Sequence, residues 1–308
     1  MTFQFRYKLF SILLFVLISV QAQQSPVLAN YNYNTVLINP AHAGFYKDSD
    51  LSLSSRGGFH QIDGAPRTIS GILNTSFESK RTGLAAGVVS DQIGVTSSSL
   101  FFGSYAYKIP LRKNSNNARW WDYNPKVISM GITAGIMNWS EDLARLNITN
   151  DPNFENNIKE TFPVIHAGIL YNDTHFFAGL SATNIISSST KNATKLSVEK
   201  SVYAHMGVRF FISKYRDHIT LTPSVLIKHV SGAPVQVDSN FIFKYKHIFE
   251  IGTGYRSTNA INVLAGLYAA KHWHLVYNYN FRTNNSPVNN THGLILRYRF
   301  GNGFSSKR

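Results

Sequence analysis

Gly293-Leu294-Ile295-Leu296-Arg297-Tyr298-Arg299-Phe300 is the stretch that decides the fold. Side chains alternate across an extended strand, so Leu294, Leu296, Tyr298 and Phe300 share one face and Ile295, Arg297 and Arg299 the other. One face is apolar and the other largely cationic. A strand of a soluble sandwich has this pattern. So does a transmembrane barrel strand, with lipid outside, a polar lumen inside and an aromatic near the interface.

The rest of the chain separates the two. Alternation starts near Asp50 and recurs to the end. Leu51 and Leu53 oppose Ser52, Ser54 and Arg56; Leu84, Ala86 and Val88 oppose Gly83, Ala85 and Gly87; Trp273, Leu275, Tyr277, Tyr279 and Phe281 oppose His274, Asn278 and Asn280. This predicts about fourteen strands, each near the roughly 9–11 residues of a tilted membrane strand, and an even number puts both chain ends on the periplasmic side. Short connections are expected at 78–81, 172–175, 214–218, 246–248 and 270–272, and longer external ones at 60–67, 91–96, 139–161, 184–200, 229–239 and 282–292. Two links break the rhythm. Residues 257–260 are short where a loop is due, and 111–124 are long where a turn is due. The latter, with Arg112, Lys113, Arg119, Trp120 and Trp121, reads as a periplasmic insertion. Because the apolar face seldom carries a charge, the fold class is all-β: an antiparallel transmembrane β-barrel of about 14 strands in an outer membrane.

Composition agrees. Of 308 residues, 44% are hydrophobic and 13% aromatic, while charged residues are 15%, below the roughly 25% of soluble domains. There is no cysteine, which excludes disulfides, thiolate metal sites and a cysteine nucleophile. A net charge of +14 would suit nucleic acid, anionic lipid or an acidic partner. The N-terminus removes nucleic acid from that set. Arg6 and Lys8 precede an apolar run over 9–20, too short to span comfortably, and Val20-Gln21-Ala22 offers a small-residue cleavage site. The expected organisation is a signal peptide at 1–22, a periplasmic or plug-like segment at 23–49, the barrel at 50–300 and a tail at 301–308. The predicted location is the outer membrane of a Gram-negative bacterium.

Asn39-Pro40-Ala41-His42-Ala43-Gly44, followed by Ile62-Asp63-Gly64-Ala65-Pro66-Arg67-Thr68, resembles the opening motifs of the PorP/SprF family of type IX secretion outer-membrane proteins. The likeness continues through Asp91-Gln92-Ile93-Gly94, the stretch 104–110, Leu221-Thr222-Pro223-Ser224, 234–240 and 277–298. The sequence departs from the family around Gly57-Gly58-Phe59-His60, where an aromatic pair is usual, and at the long 111–124 link and the 301–308 tail. The resemblance implies a non-enzymatic barrel that helps deliver or retain secreted cargo, such as adhesins or gliding proteins bearing a C-terminal sorting domain. It also implies contact with secretion or motility components on the periplasmic side. The alternative is a porin or hydrophobic-substrate channel.

Two sets of residues are candidates for function. Asn39, Pro40, Ala41 and Gly44, with Asp63, Gly64, Ala65 and Pro66, form either a partner-docking or mouth motif or simply turns, since Asn-Pro and Asp-Gly punctuate chains for conformational reasons. By parity Arg56, Lys108, Arg209, Lys228, Lys244, Lys246, Arg256, Arg297 and Arg299 point inward, with Glu250 nearly the only inward acid. That predicts a basic lumen favouring anions or an acidic segment, or ordinary hydrated charge balanced by loop carboxylates at Asp63, Asp91 and Asp238. His272 and His274 flank Trp273 on a shared face, but no third metal ligand is placed. No Gly-x-Ser-x-Gly elbow is present. No catalytic residue, cofactor site or metal site is assigned.

Overall fold

Period-two alternation of aliphatic and aromatic residues with small and polar ones makes each segment a two-faced strand. The computed structural model describes residues 31–58, 64–77, 81–111, 126–148, 151, 156–186, 199–212, 219–283 and 290–304. The signal-peptide expectation at 1–22, residues 23–30, Asp63 and the cationic part of the 111–124 insertion lie outside them.

The strands are β1 (Asp50–Gly57), β2 (Arg67–Ser76), β3 (Thr82–Ile93), β4 (Thr96–Pro110), β5 (Val127–Glu141), β6 (Ile158–Asn172), β7 (Phe176–Thr183), β8 (Ser201–Val208), β9 (Phe210–Phe211), β10 (Ile219–Val230), β11 (Gln236–Tyr245), β12 (Phe249–Arg256), β13 (Ala260–Ala269), β14 (Trp273–Arg282) and β15 (Thr291–Arg299). Every pairing is antiparallel. β9 continues β8 beyond Arg209 along the same neighbour, β10, so the fifteen strands make fourteen staves. β15 pairs with β1, Arg299 opposite Asp50 and Arg297 opposite Ser52, which closes the barrel. Closure satisfies the backbone groups that lipid would leave unpaired.

The predicted outward face is the outer one. Leu53, Phe101, Ile132, Leu180, Ile251, Leu267, Leu275 and Leu294 are exposed on the outside, while Ser52, Ser104, His205, His274 and Arg297 are buried on the inside. Residue 91 begins no loop. β3 runs to Ile93, β4 starts at Thr96, and Gly94 turns the chain with a positive φ of 62°. The 229–239 link likewise shortens, because β10 reaches Val230 and β11 starts at Gln236. Asp91 and Asp238 therefore sit on strands and face inward, as does Asp50, so Glu250 has three acidic companions in the wall. Lys246 is not inward. It lies exposed in the β11–β12 turn at φ 48°, its ammonium 5.1 Å from the Tyr245 ring.

Residues 31–49 occupy the barrel interior. Two short 3-10 turns, η1 (Thr35–Leu37) and η2 (Pro40–His42), with Ile38 and Asn39 between them, carry side chains that the wall buries, including Val36, Ile38, Asn39 and Ala41. Four apolar clusters join segment to wall. Val36 and Ala43 meet Ile72, Ala85, Val89, Phe102 and Ala106. Ala41 and Phe45 meet Leu170 and Phe177. Tyr31 and Ile38 meet Tyr203 and Leu226. Tyr33 packs on Leu264, Val276 and Ile295. The lumen is thus a partly dry core rather than a uniformly polar channel, because its own N-terminal segment removes that surface from water.

Candidate functional site

The interior has two sides. On the β3–β7 side, glycines at inward positions let the Asn39–Gly44 backbone lie directly on the wall. A methyl group at Gly131 would overlap Pro40 and Ala41, one at Gly168 would overlap the Asn39 amide, and one at Gly83 would overlap the Ala43 carbonyl. Gly44 itself has φ 58° and abuts the Gly83 Cα, a position that excludes a side chain on two counts. Hydrogen bonds then fix the register. Asn39 Oδ1 accepts from the Ala41 amide at 3.0 Å, and its Nδ2 donates to the Ile169 carbonyl at 3.1 Å. Ser129 donates to the Ala41 carbonyl at 2.8 Å and Ser181 to the Ile38 carbonyl at 2.5 Å. The Gly44 amide donates to Asn74 at 2.5 Å, and the Lys108 ammonium donates to the Gly44 carbonyl. His42 faces His205, ring nitrogens 3.3 Å apart. Burial, then the His205 ring, Arg209 and Lys108 hold the His42 pKa well below its usual value, so it is neutral.

The β10–β15 side is charged. Glu250 Oε1 accepts from the Tyr33 hydroxyl at 2.5 Å and lies 3.0 Å from His274 Nε2, while Oε2 accepts from Tyr268 at 2.9 Å. The Tyr268 ring stacks on His274 at 3.9 Å. Burial and the Glu250 carboxylate push the Tyr33 phenol well above its ordinary pKa, so it stays a donor. Arg297 pairs with Asp50 at 3.0 Å. The Arg299 guanidinium lies between the Tyr46 ring, 4.0 Å away, and the Phe304 ring, 4.2 Å away. The tail is therefore part of the barrel: Phe304 is buried, its amide donates to the Lys271 carbonyl at 2.7 Å, and Asn302 donates to Asp48 at 3.1 Å. A cavity of about 180 Å³ lies beside these contacts, lined by plug and wall together.

Eight of the nine expected basic residues face inward, all but Lys246, and they do not form one cluster. Arg56, Lys228 and Arg256 lie toward the rim away from the chain ends, and Arg256 is forked onto Asp238 at 2.8–3.1 Å. Arg56 donates to Thr291 at 3.2 Å, and Lys228 lies 5.9 Å from the Tyr203 ring. Lys108, Arg209, Lys244, Arg297 and Arg299 lie toward the rim carrying the ends. Arg209 donates to Asn172 at 2.9 Å and to the Asp173 carbonyl at 2.8 Å. Of the second motif, Gly64 at φ 78° accepts from the Gly94 amide at 2.8 Å, tying the β1–β2 loop to the β3–β4 turn. His272 and His274 diverge: the first bonds the Arg299 carbonyl and stacks on Tyr298, and the second enters the lumen. The sequence reading missed Tyr31, Tyr33 and Phe304, and it gave no role to the inward glycines. Small residues at lumen positions of neighbouring strands were the available signal for a close-lying backbone.

The model of the type IX secretion system membrane protein PorP/SprF matches residues 20–298. The chain belongs to the PorP/SprF family. It is an outer-membrane protein, and its family and fold are those of a membrane secretion component. No curated protein matches it at a significant level. Among solved structures, the monoaromatic hydrocarbon channel TodX in a ΔS2S3 mutant superposes with a TM-score of 0.50 at 7% identity, covering 86% of this chain and 93% of that one. Omp33 of Acinetobacter baumannii gives 0.48 at 8% identity, covering 83% and 100%. The Pseudomonas putida toluene transporter TodX gives 0.47 at 8%, covering 86% and 93%. At these identities the likeness concerns the barrel fold alone.

Proposed function

We propose that this PorP/SprF barrel is a non-enzymatic accessory of the type IX secretion system that supports secretion or surface attachment of specific cargo. The cargo would be proteins with a C-terminal sorting domain, such as adhesins or gliding proteins. Residues 1–22 act as its secretory signal. Family membership supports the system, and the filled lumen supports the accessory role over the porin alternative. The NPAHAG segment forms the dry core of the interior with Val36, Ile38 and Phe45, so the barrel offers rims and loops to partners rather than an open bore. In the usual barrel orientation, the rim carrying both ends and the short turns is periplasmic. Lys47, Lys271 and Gly301 are exposed there and are then available to secretion or motility components. The Gly64–Gly94 contact orders the opposite rim, where cargo would be held.

Deleting the gene and comparing surface proteomes tests this reading. Loss of one or a few sorting-domain proteins with otherwise normal uptake is expected. An intact surface with lost solute uptake would instead establish the channel. Affinity purification of the intact barrel from membranes, with bound chains identified by mass spectrometry, names the cargo.

A further inference from the structure

The cavity between plug and wall is lined by Arg209, Lys244, Arg297 and Arg299 against only two carboxylates, Asp50 and Glu250. Both carboxylates already have partners. Asp50 holds Arg297, and Glu250 takes Tyr33, Tyr268 and the His274 ring. Arg209 is anchored on the β6–β7 turn, and Arg299 is sandwiched by rings. Lys244 differs. Among the described residues no hydrogen bond or ion pair holds its ammonium, which has the Tyr268 ring 5.6 Å away and Glu250 directly across the β11–β12 ladder. Thr220 lies directly across the β10–β11 ladder from Lys244, Thr222 follows on the same strand, and Asn32 of the plug reaches Ser224 on that strand at 3.4 Å; all three line the same space and supply hydroxyl and amide donors. At about 180 Å³ the cavity exceeds what one water needs, roughly 10–15 Å³ on the same measure. It is large enough for an oxyanion of five heavy atoms.

We propose that this cavity is a binding site for a small inorganic oxyanion, of the phosphate or sulfate type, with Lys244 as its principal charge contact. A tetrahedral anion there takes the ammonium on one side and the threonine hydroxyls and the Asn32 amide on the others. It neutralises cationic surplus in a confined space, where ion pairing is stronger than in water. Because Asn32 belongs to the plug and Lys244, Thr220 and Thr222 to the strands beside it, the bound anion also links plug to wall. This inference does not depend on the secretion reading.

The test is equilibrium dialysis of radiolabelled inorganic phosphate against the full-length barrel in detergent, at constant ionic strength made up with chloride. Saturable binding of one phosphate per barrel is expected, with unlabelled sulfate competing and chloride not. Lys244→Met should weaken binding at least tenfold, Lys244→Arg should keep it within a few-fold, and Lys228→Met, remote from the cavity, should leave it unchanged. Folding of each variant is checked by heat-modifiable gel mobility. Non-saturable binding, displacement by chloride alone, or equal binding by Lys244→Met and wild type would each overturn the proposal.

Discussion

The two sides of the lumen hold the same plug by opposite means. Along β3–β7 the contact is steric: backbone lies on backbone over glycines, and short hydrogen bonds from Ser129, Ser181 and Lys108 set the register. Along β10–β15 it is electrostatic: Tyr33 reaches Glu250, Arg297 pairs with Asp50, and Arg299 lies against Tyr46 and Phe304, all beside a cavity. Close-packed contacts tolerate almost no added volume, whereas a polar cavity accommodates change. The difference suggests that the glycine side fixes where the plug sits and the charged side adjusts how firmly it is held.

The largest effect should come from adding bulk to the steric side. Gly131→Leu places atoms where the Pro40 carbonyl and Ala41 amide lie. Overpacking costs about 1–3 kcal/mol where side chains can shift, and here the obstacle is backbone. Residues 38–44 should leave the wall, giving fast hydrogen exchange over that stretch and raised planar-bilayer conductance. Gly103→Leu is the control, since nothing lies within 4 Å of the added carbon. Equal behaviour of the two variants would break the distinction between the sides.

Phe304→Ala is the matching change on the charged side. Losing a buried phenylalanine costs about 3 kcal/mol at the lower end of measured values, and Arg299 loses one of its two rings. A lower urea midpoint is expected, with exchange at 38–44 unchanged. If exchange there rises as much as in Gly131→Leu, the two sides act as one unit. Asn39→Ala should cost less, about 1 kcal/mol, as for the loss of a capping side chain. It removes the acceptor for the Ala41 amide and the donor to Ile169. Hydrogen exchange should rise at the Ala41 amide and leave the Tyr33 region as it was.

The barrel was legible because period two survives any tertiary context. Leu294 is outside and Arg297 and Arg299 inside, as their parity requires. The plug was not. Residues 31–49 have no period, and their contacts are remote in sequence, Asn39 with Ile169 and Tyr33 with Glu250. Ile72, Leu170 and Val276 are apolar at inward positions because that segment packs on them. Turn-forming residues near Asp91 and Asp238 hide the true strand ends, so both read as loop carboxylates. Phe304 reads as tail because the turn formers Gly301, Asn302 and Gly303 follow Phe300 and break the alternation before it.

The smallest effect concerns pH and bears on where the two sides meet. His42 belongs to the steric motif, yet it faces His205, Arg209 and Lys108, which all oppose its protonation. Its docked pKa is lowered, while the unfolded chain binds a proton near the ordinary pKa of about 6.5. The unfolded state therefore holds more protons below that pH, so the stabilisation is complete above about 6.5 and declines as pH falls. One such group gives at most about 1.4 kcal/mol per pH unit. Between pH 6.5 and 5.5 the urea unfolding free energy of the wild type should fall by about 1 kcal/mol more than that of His42→Gln. A steeper wild-type loss would mean that a second imidazole titrates with the first, as the 3.3 Å contact with His205 allows. Equal slopes in the two proteins would show that His42 docks without regard to charge, and the steric account of the β3–β7 side would then stand without any electrostatic part.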